Sequence, residues 1–214
     1  MFAALRSALV SPGSFFQREA ADPGLRDPVL IVAVVAVIGV LSSVPVMRAV
    51  LGTVPDAAGP FVLVGLVVGT VVGFAGPFVV WLLYSLLFYG LSALFGGDGE
   101  FRDVFALVGW GFAPEVVSSV VGGVVTVLLL SQGDFSTPQQ AQQFSQLALN
   151  SPLGLVNRGV NLAMTLWSAW LWLHAVAAAR NLSRRAAAAT VGVVVLAAVV
   201  LGLVSAVLAT SGAV

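Results

Sequence analysis

The fold is decided by residues 61–95, which read FVLVGLVVGTVVGFAGPFVVWLLYSLLFYGLSALF and carry no charged side chain. A membrane-spanning helix needs about 20 predominantly apolar residues. As one helix this stretch would extend about 50 Å, at about 1.5 Å per residue, against a hydrocarbon core about 30 Å thick. It is therefore either one long helix, tilted and kinked at Gly76-Pro77, or two short helices joined there in a hairpin.

The composition excludes a soluble protein and several classes of chemistry. Of the 214 residues, 59% are hydrophobic and only 8% are charged, whereas soluble domains carry about 25% charged residues. The chain is therefore predicted to be an integral membrane protein whose apolar exterior is covered by lipid. A formal net charge of +0 gives no basis for nucleic-acid binding. The sequence has no Cys, and its nine basic residues are all Arg, which excludes disulfides, thiolate chemistry and lysine Schiff bases.

Four further apolar runs are long enough to cross a bilayer. With the long run as the second, the predicted spans cover residues 29–50, 61–95, 103–130, 158–179 and 187–209. Asp27-Pro28 is typical of a helix start, because Asp caps a helix and Pro fits its first position. The predicted fold class is all-α: one polytopic transmembrane bundle over residues 28–210, with five spans, or with six if the second run is a hairpin.

The distribution of Arg decides between five and six spans. With five spans, seven Arg residues fall on one side of the membrane and two on the other. The seven are Arg6, Arg18, Arg26, Arg102, Arg180, Arg184 and Arg185, and the two are Arg48 and Arg158. A hairpin would move four of the seven across and remove the bias. Because cytoplasmic segments carry the excess of Arg, we expect five spans in the cell membrane, with the N-terminus cytoplasmic and the C-terminus extracytoplasmic.

Two segments outside the spans are predicted to lie on the membrane surface. Residues 1–27 form a cytoplasmic amphipathic lead-in, in which Ser14 and Gln17 begin the second of two short helices as a capping box. We expect this lead-in to rest among lipid headgroups; binding a partner protein is the alternative. Between the third and fourth spans, residues 138–149 are predicted to form an uncharged interfacial helix on the outer side.

The clearest local motif is a row of three glycines, Gly65, Gly69 and Gly73, spaced at i, i+4 and i+8 in the second span. Such a row makes one face of a helix flat. In lipid, small-residue faces let helix backbones pack closely. The row therefore predicts a helix contact, either inside the bundle or with a second copy of the chain.

Glu115 is the one acidic residue predicted to lie deep inside a span, and it directly follows Pro114. A carboxyl group at this depth is costly and is a functional candidate. Three roles are open: a protonated structural residue, a group that binds a partner or a lipid headgroup, and a proton carrier of a transporter. His174, the only histidine, is predicted near the cytoplasmic end of the fourth span, where a structural hydrogen bond is the simpler role and pairing with Glu115 is not favoured.

Motifs for catalysis, cofactors and metals are missing. The Asp residues are predicted in loops or at a span edge rather than paired inside a span, so an intramembrane aspartyl hydrolase is not supported. There is no phosphate-binding loop, and a lone His without clustered carboxylates does not predict a metal site. The chain is therefore predicted not to be an enzyme, with no catalytic, cofactor-binding or metal-binding residues.

Three segments together resemble a known family. They are residues 11–16, SPGSFF; residues 105–114, FALVGWGFAP; and residues 181–186, NLSRRA, at the start of the last span. The chain resembles the prokaryotic branch of the Yip1 family of five-span membrane proteins, which implies a non-enzymatic integral membrane protein. Eukaryotic relatives are associated with Rab GTPases and vesicle traffic. That role is not carried over, because the Asp-Leu-Tyr-Gly-Pro motif of those relatives is missing and Trp110 stands where Tyr is usual.

Two functional hypotheses follow. The first is a membrane scaffold or adaptor that contacts the lipid bilayer, other membrane proteins or a second copy of the chain. The second is a transporter, or a subunit of one, for protons or a small solute, which uses Glu115 and a helix broken at Pro114. The absence of catalytic groups and the small soluble segments favour the first hypothesis.

Overall fold

The computed structural model describes residues 2–51, 59–132, 144 and 146–211. These residues form eight helices of eight or more residues and contain no strand. The helices are α1 (Phe2–Val10), α2 (Pro12–Glu19), α3 (Arg26–Leu51), α4 (Gly59–Ala93), α5 (Phe101–Trp110), α6 (Ala113–Leu130), α7 (Pro152–Ala179) and α8 (Arg184–Ser211). Residues 146–150 are also helical; most of the interfacial helix predicted over residues 138–149 lies outside the described residues.

The predicted class of an all-α polytopic bundle is confirmed. Four helices, α3, α4, α7 and α8, are each long and apolar enough to cross a membrane. Helices α5 and α6 pass the same test together and are bent by 46° at the break between them. With the bent pair counted as one span, the described chain has five.

The longest helix is α4, whose 35 residues run from Gly59 to Ala93 without interruption. Pro77 lies inside it, although a proline there removes one backbone hydrogen bond. The helix does not end at Gly76-Pro77, so the hairpin alternative for this run is wrong. The Arg distribution had favoured the same result.

The predicted third span divides into two helices. Helix α5 closes with short-range bonds, from Gly111 N–H to the Val108 carbonyl at 3.0 Å and from Phe112 N–H to the Gly109 carbonyl at 3.2 Å. Bonds of this i to i−3 type tighten and end a helix. Pro114 then lies in the first turn of α6, where its missing N–H is tolerated. The sequence had placed the disturbance at Pro114, and the break itself lies just before it.

The lead-in forms two short helices, but the capping box at Ser14 and Gln17 is wrong. Helix α2 begins at Pro12, with Ser11 at the N-cap position and no side-chain capping bond. The fixed φ of proline suits the first helical position, so the helix starts three residues earlier than predicted. The Ser14 hydroxyl instead donates to the Ser11 carbonyl at 3.1 Å.

Contacts divide the chain into two compact units. Unit 1 comprises Met1–Val32, Val80–Ala113 and Leu166–Val214, and unit 2 comprises Ala33–Val79 and Pro114–Thr165. Of the 26 buried hydrophobic residues in the described chain, 23 belong to unit 1 and three to unit 2. The tightly packed core of the protein is therefore that of unit 1.

Unit 1 is built around tryptophan rings. Trp81 of α4 stacks on Phe105 of α5 with ring centroids 4.0 Å apart, and its Nε1–H donates to the Phe105 carbonyl at 2.8 Å. Trp172 of α7 lies 4.9 Å from Tyr84 between centroids, and its Nε1–H donates to the Val108 carbonyl at 2.9 Å. A buried indole N–H needs such a partner. The two rings join α4, α5 and α7.

Gly109 and Gly111 allow these rings to approach. A Cβ at Gly109 would lie 2.8 Å from a Trp81 ring carbon, and a Cβ at Gly111 would collide with the Trp172 indole nitrogen. Only glycine leaves the space that both rings occupy. The GWG segment that contributes to the family resemblance therefore has a packing role in this chain.

Candidate functional site

Pro114 and Glu115 lie together in the first turn of α6, in unit 2. Pro114 is buried and Glu115 is half-buried. The break before α6 changes the setting of this acid, because it makes Glu115 part of a helix N-terminus instead of the middle of a continuous span. The positive end of the helix dipole favours a carboxylate there. The three roles that the sequence left open for Glu115 stay predictions.

The glycine row lies on the part of α4 that belongs to unit 2. In the described chain, a Cβ at Gly65 or at Gly69 would have no heavy atom within 4 Å, and one at Gly73 would lie 3.9 Å from Val40 Cγ2. The row therefore contacts the described chain at one end and is open along the rest. The apolar residues around it are more than half exposed: Leu63, Val64, Val67, Val68, Val71 and Val72.

His174 lies in α7, in unit 1. Its side chain is only 7% exposed. Its Nδ1 lies 2.9 Å from the Trp170 carbonyl, an acceptor, so Nδ1 carries the proton that it donates. In the neutral ring Nε2 is then an acceptor, and in the protonated ring it is a second donor. Nε2 has no hydrogen-bond partner among the described residues.

A pocket of about 570 Å³ opens beside His174 in unit 1. Its volume is within the range of small-molecule sites. Three segments that are distant in the sequence line it: α2 with the residues just after it, the start of α5 with Gly99 before it, and the turn from the end of α7 into α8. Its polar lining side chains are Gln17, Asp103, His174, Asn181 and Arg184.

Gly13, in the first turn of α2, lies next to the two basic side chains of this pocket, His174 and Arg184. A Cβ at this position would lie 3.7 Å from His174 Nε2 and 3.6 Å from Arg184 Nη2. The imidazole and the guanidinium therefore flank the same small space. Because Gly13 has no side chain, that space is open to a ligand.

Arg180 makes buried hydrogen bonds that the sequence analysis missed. It is only 4% exposed, and its guanidinium donates to Ser92 Oγ at 3.0 Å, to the Gly97 carbonyl at 2.6 Å and to the Gly99 carbonyl. It also lies 4.4 Å from the centroid of the Tyr89 ring. A buried charge needs such a set of partners.

The loop that Arg180 holds connects α4 to α5. In return, the Asp98 N–H donates to the Arg180 carbonyl at 2.9 Å. Gly96 and Gly99 have φ values of +75° and +121°, which favour glycine. The FGGDG segment, with three glycines in five residues, was the available signal of a tight turn. No pattern in the sequence paired that turn with an Arg about 80 residues away.

The end of α7 completes this region. Asn181 has φ +52°, and the Leu182 N–H donates to the Ala177 carbonyl at 3.0 Å. A left-handed residue with this bond is the Schellman way of ending a helix. It reverses the chain so that Arg184, at the start of α8, reaches the same pocket as His174.

Among the described residues there is no group of three or more His, Cys, Asp or Glu side chains that could hold a metal ion. The pocket carries one histidine and one carboxylate, and the glycine row and Glu115 belong to unit 2. The predicted site residues therefore fall into three separate features: the start of α6, the open face of α4 and the pocket beside His174.

Comparison with known proteins gives one result. No curated protein and no solved structure shows significant similarity to the chain. The family model of the Yip1 domain, however, matches residues 6–206. That match extends from α1 into α8 and includes all three segments on which the resemblance rests. The chain belongs to the Yip1 domain family.

Proposed function

We propose that this Yip1-domain protein is a non-enzymatic membrane scaffold that assembles through the glycine face of α4. The observation that carries the proposal is the open row itself, since Gly65 and Gly69 have nothing within 4 Å of a Cβ in the described chain. An exposed apolar side chain in a membrane protein can be covered by lipid alone. An exposed backbone groove is different, because it offers close van der Waals contact to another helix.

The exposure of α4 supports the same proposal. In an apolar stretch of 18 residues of α4, 0% of the residues are buried, against 22% in the corresponding stretch of α3, 39% in that of α7 and 28% in that of α8. We infer that the occupant is a second copy, because glycines at i, i+4 and i+8 form a groove that is complementary to itself when two such helices cross.

The absence of Cys allows a direct test by cross-linking. A single Cys at Val72, beside the row, is expected to give a disulfide-linked dimer in native membranes under mild oxidation. Gly69→Leu in the same background fills the groove and is expected to lower the dimer fraction at least about tenfold, which corresponds to about 1.4 kcal/mol.

The matched control is Gly90→Leu, in the same helix. Gly90 also has nothing within 4 Å of a Cβ, but it lies off the row, so dimerisation should be unchanged. A chain that is equally monomeric with and without Gly69→Leu contradicts the proposal. A third outcome is a cross-link to a different protein, with no dimer, that Gly69→Leu abolishes. In that case the occupant of the groove would be a heterologous partner, and the protein would be an adaptor.

The orientation is part of the same proposal. We propose that the N-terminus is cytoplasmic and the C-terminus extracytoplasmic. The support is the sequence, because with five spans seven of the nine Arg residues fall on one side of the membrane and only Arg48 and Arg158 on the other. Such a bias is typical of the cytoplasmic side. A reporter fused after Val214 is expected to read as extracytoplasmic, and a cytoplasmic reading would reject this orientation.

Transport is the second candidate function. The observation in its favour is the 46° bend between α5 and α6, because broken helices carry the substrate sites of many transporters. Glu115 lies in the first turn after this break. In proteoliposomes that carry a pH gradient, this candidate requires a proton flux that Glu115→Gln abolishes. A flux that is absent, or insensitive to the substitution, removes it.

A further inference from the structure

We propose that the pocket beside His174 binds a phosphoethanolamine group, with the phosphate between His174 and Arg184 and the ammonium towards Asp103. The proposal concerns unit 1 alone. It is independent of assembly through α4.

The phosphate side rests on a buried side chain whose free atom lines the pocket. The side chain of His174 is only 7% exposed, and its Nδ1–H donates a hydrogen bond to the Trp170 carbonyl. The remaining nitrogen, Nε2, lies 3.7 Å from the position of a Gly13 Cβ, and Arg184 Nη2 lies 3.6 Å from the same point. Arg184 can therefore donate to a phosphate seated over Gly13, and Nε2 is a second donor to the same phosphate in the protonated ring, in the charge-assisted geometry that anions prefer.

The start of α2 adds donors to this side. The α2 N-cap, Ser11, makes no side-chain capping bond. The first backbone bond of α2 runs from the Phe15 N–H to the Ser11 carbonyl at 3.1 Å, so the amides of Gly13 and Ser14 are among the helix N-terminal donors that have no intrahelical partner. Unpaired amides at a helix N-terminus favour an anion. Here they supplement the imidazole and the guanidinium, which face the same space.

The other side of the pocket attracts a cation. Asp103, half-buried in the first turn of α5, lines the pocket together with Ala178 and Ala179 of the last turn of α7. The C-terminal carbonyls of a helix carry partial negative charge. A carboxylate in this position would repel a simple dianion, so the pocket as a whole fits a zwitterion better than a free phosphate. A primary ammonium can donate up to three hydrogen bonds to these oxygens.

The location favours a lipid as the source of the group. The pocket lies where α7 ends, at Ala179, and α8 begins, at Arg184. Both helices are long enough to span a membrane, and the ends of spans lie at the depth of lipid headgroups. Soluble phosphoethanolamine has the same chemistry, so the test distinguishes the two sources.

Delipidated full-length protein in detergent provides the test, with native mass spectrometry as the readout. We expect dioleoylphosphatidylethanolamine to bind at least about tenfold more tightly than dioleoylphosphatidylglycerol, a preference of about 1.4 kcal/mol. Arg184→Gln and, separately, Gly13→Val should each weaken ethanolamine-lipid binding by about that factor. Asp103→Asn should remove the preference between the two lipids.

Arg185→Gln is the matched control, because Arg185 is exposed and does not line the pocket. It should leave both affinities unchanged. Each variant is compared with the wild type by its melting temperature without lipid, and Arg184→Gln, at an exposed residue, is expected to remain folded even if Gly13→Val is not.

Soluble phosphoethanolamine identifies the source. If it displaces the lipid only at large molar excess, the ligand is a lipid headgroup; if it binds alone as tightly as the lipid, the ligand is a free solute. Equal lipid binding by wild type, Arg184→Gln and Gly13→Val would overturn the proposal. A wild type that binds both lipids equally would overturn the role of Asp103.

Discussion

The two units of this protein differ in how far they bury their apolar residues. Unit 1 holds 23 of the 26 buried hydrophobic residues in the described chain, whereas unit 2 holds Ala36, Val125 and Leu129. Most of the aromatic ring contacts found there also lie in unit 1, whereas the contact of Phe74 with Phe78 lies in unit 2. In lipid, burial by itself drives no helix association, so specific ring packing and hydrogen bonds must define a membrane fold. Here unit 1 supplies most of them, whereas the apolar residues beside the glycine row of unit 2 are exposed in the described chain.

The same substitution in the two units gives the largest expected contrast. Gly111→Ala in unit 1 places a Cβ on the Trp172 indole nitrogen, whereas Gly65→Ala in unit 2 meets nothing within 4 Å. Overpacking in a dense core costs about 1–3 kcal/mol or more, so we expect Gly111→Ala to lower the melting temperature in detergent by several degrees or to prevent accumulation. Gly65→Ala should be within about 0.5 kcal/mol of wild type. Equal tolerance of both would show that the packing of unit 1 is not what defines the fold.

A second contrast concerns Arg residues. Arg180→Lys keeps the charge but loses the planar set of donors that reaches Ser92, Gly97 and Gly99. Because hydrogen bonds to charged groups contribute about 1.5–3 kcal/mol each, a loss of about 2–4 kcal/mol is expected in thermal unfolding. Arg158→Lys, at an exposed position of unit 2, should change little. A stable Arg180→Lys variant would mean that the loop is held by its glycines alone.

The smallest expected effect lies in α2. Burial raises the pKa of the Glu19 carboxyl above its usual value, and the carboxylates of Asp27 and Asp22 raise it further. A folded-state pKa above the unfolded value means that stability falls as the pH rises from about 4.5 through the folded pKa. Glu19→Gln should therefore stabilise the protein at pH 7 and have no advantage at pH 4.

The pH dependence of unfolding in detergent measures this effect. Glu19→Asp, which keeps a carboxyl group at the position, should retain the loss of stability with rising pH. If Glu19→Gln gains as much at pH 4 as at pH 7, its effect does not come from ionisation.

Much of the architecture could be predicted because it depends on local composition. The long apolar run and the distribution of Arg give a continuous second span, and α4 continues through Pro77 as that reasoning requires. The break in the third span was harder to place, since no local pattern marks the i to i−3 bonds around Gly111 and the ring packed against Gly111 comes from Trp172, far along the sequence. Helix starts depend on such details, and Pro12 outweighed the capping box at Ser14.

The candidate sites show where sequence reasoning ends. Composition identified His174 and Glu115 as unusual residues. It could not show that Gly13, Asp103 and Arg184 share a pocket with His174, because their positions in space depend on three different helices and on the turn at Asn181. Arg180 entered the sequence argument only as a charge on one side of the membrane, and its buried hydrogen bonds are visible only in the structure.

The contact between Arg180 and the α4–α5 loop also orders the biosynthesis of the protein. Its partners Gly99 and Gly97 precede it by 81 and 83 residues. At a synthesis rate of about 5–20 residues per second, roughly 4–16 s pass between the emergence of the loop and that of Arg180. During that interval the α4–α5 loop lacks the guanidinium that joins it to the end of α7, so its hydrogen bonds to Arg180 can form only after α7 has been synthesised.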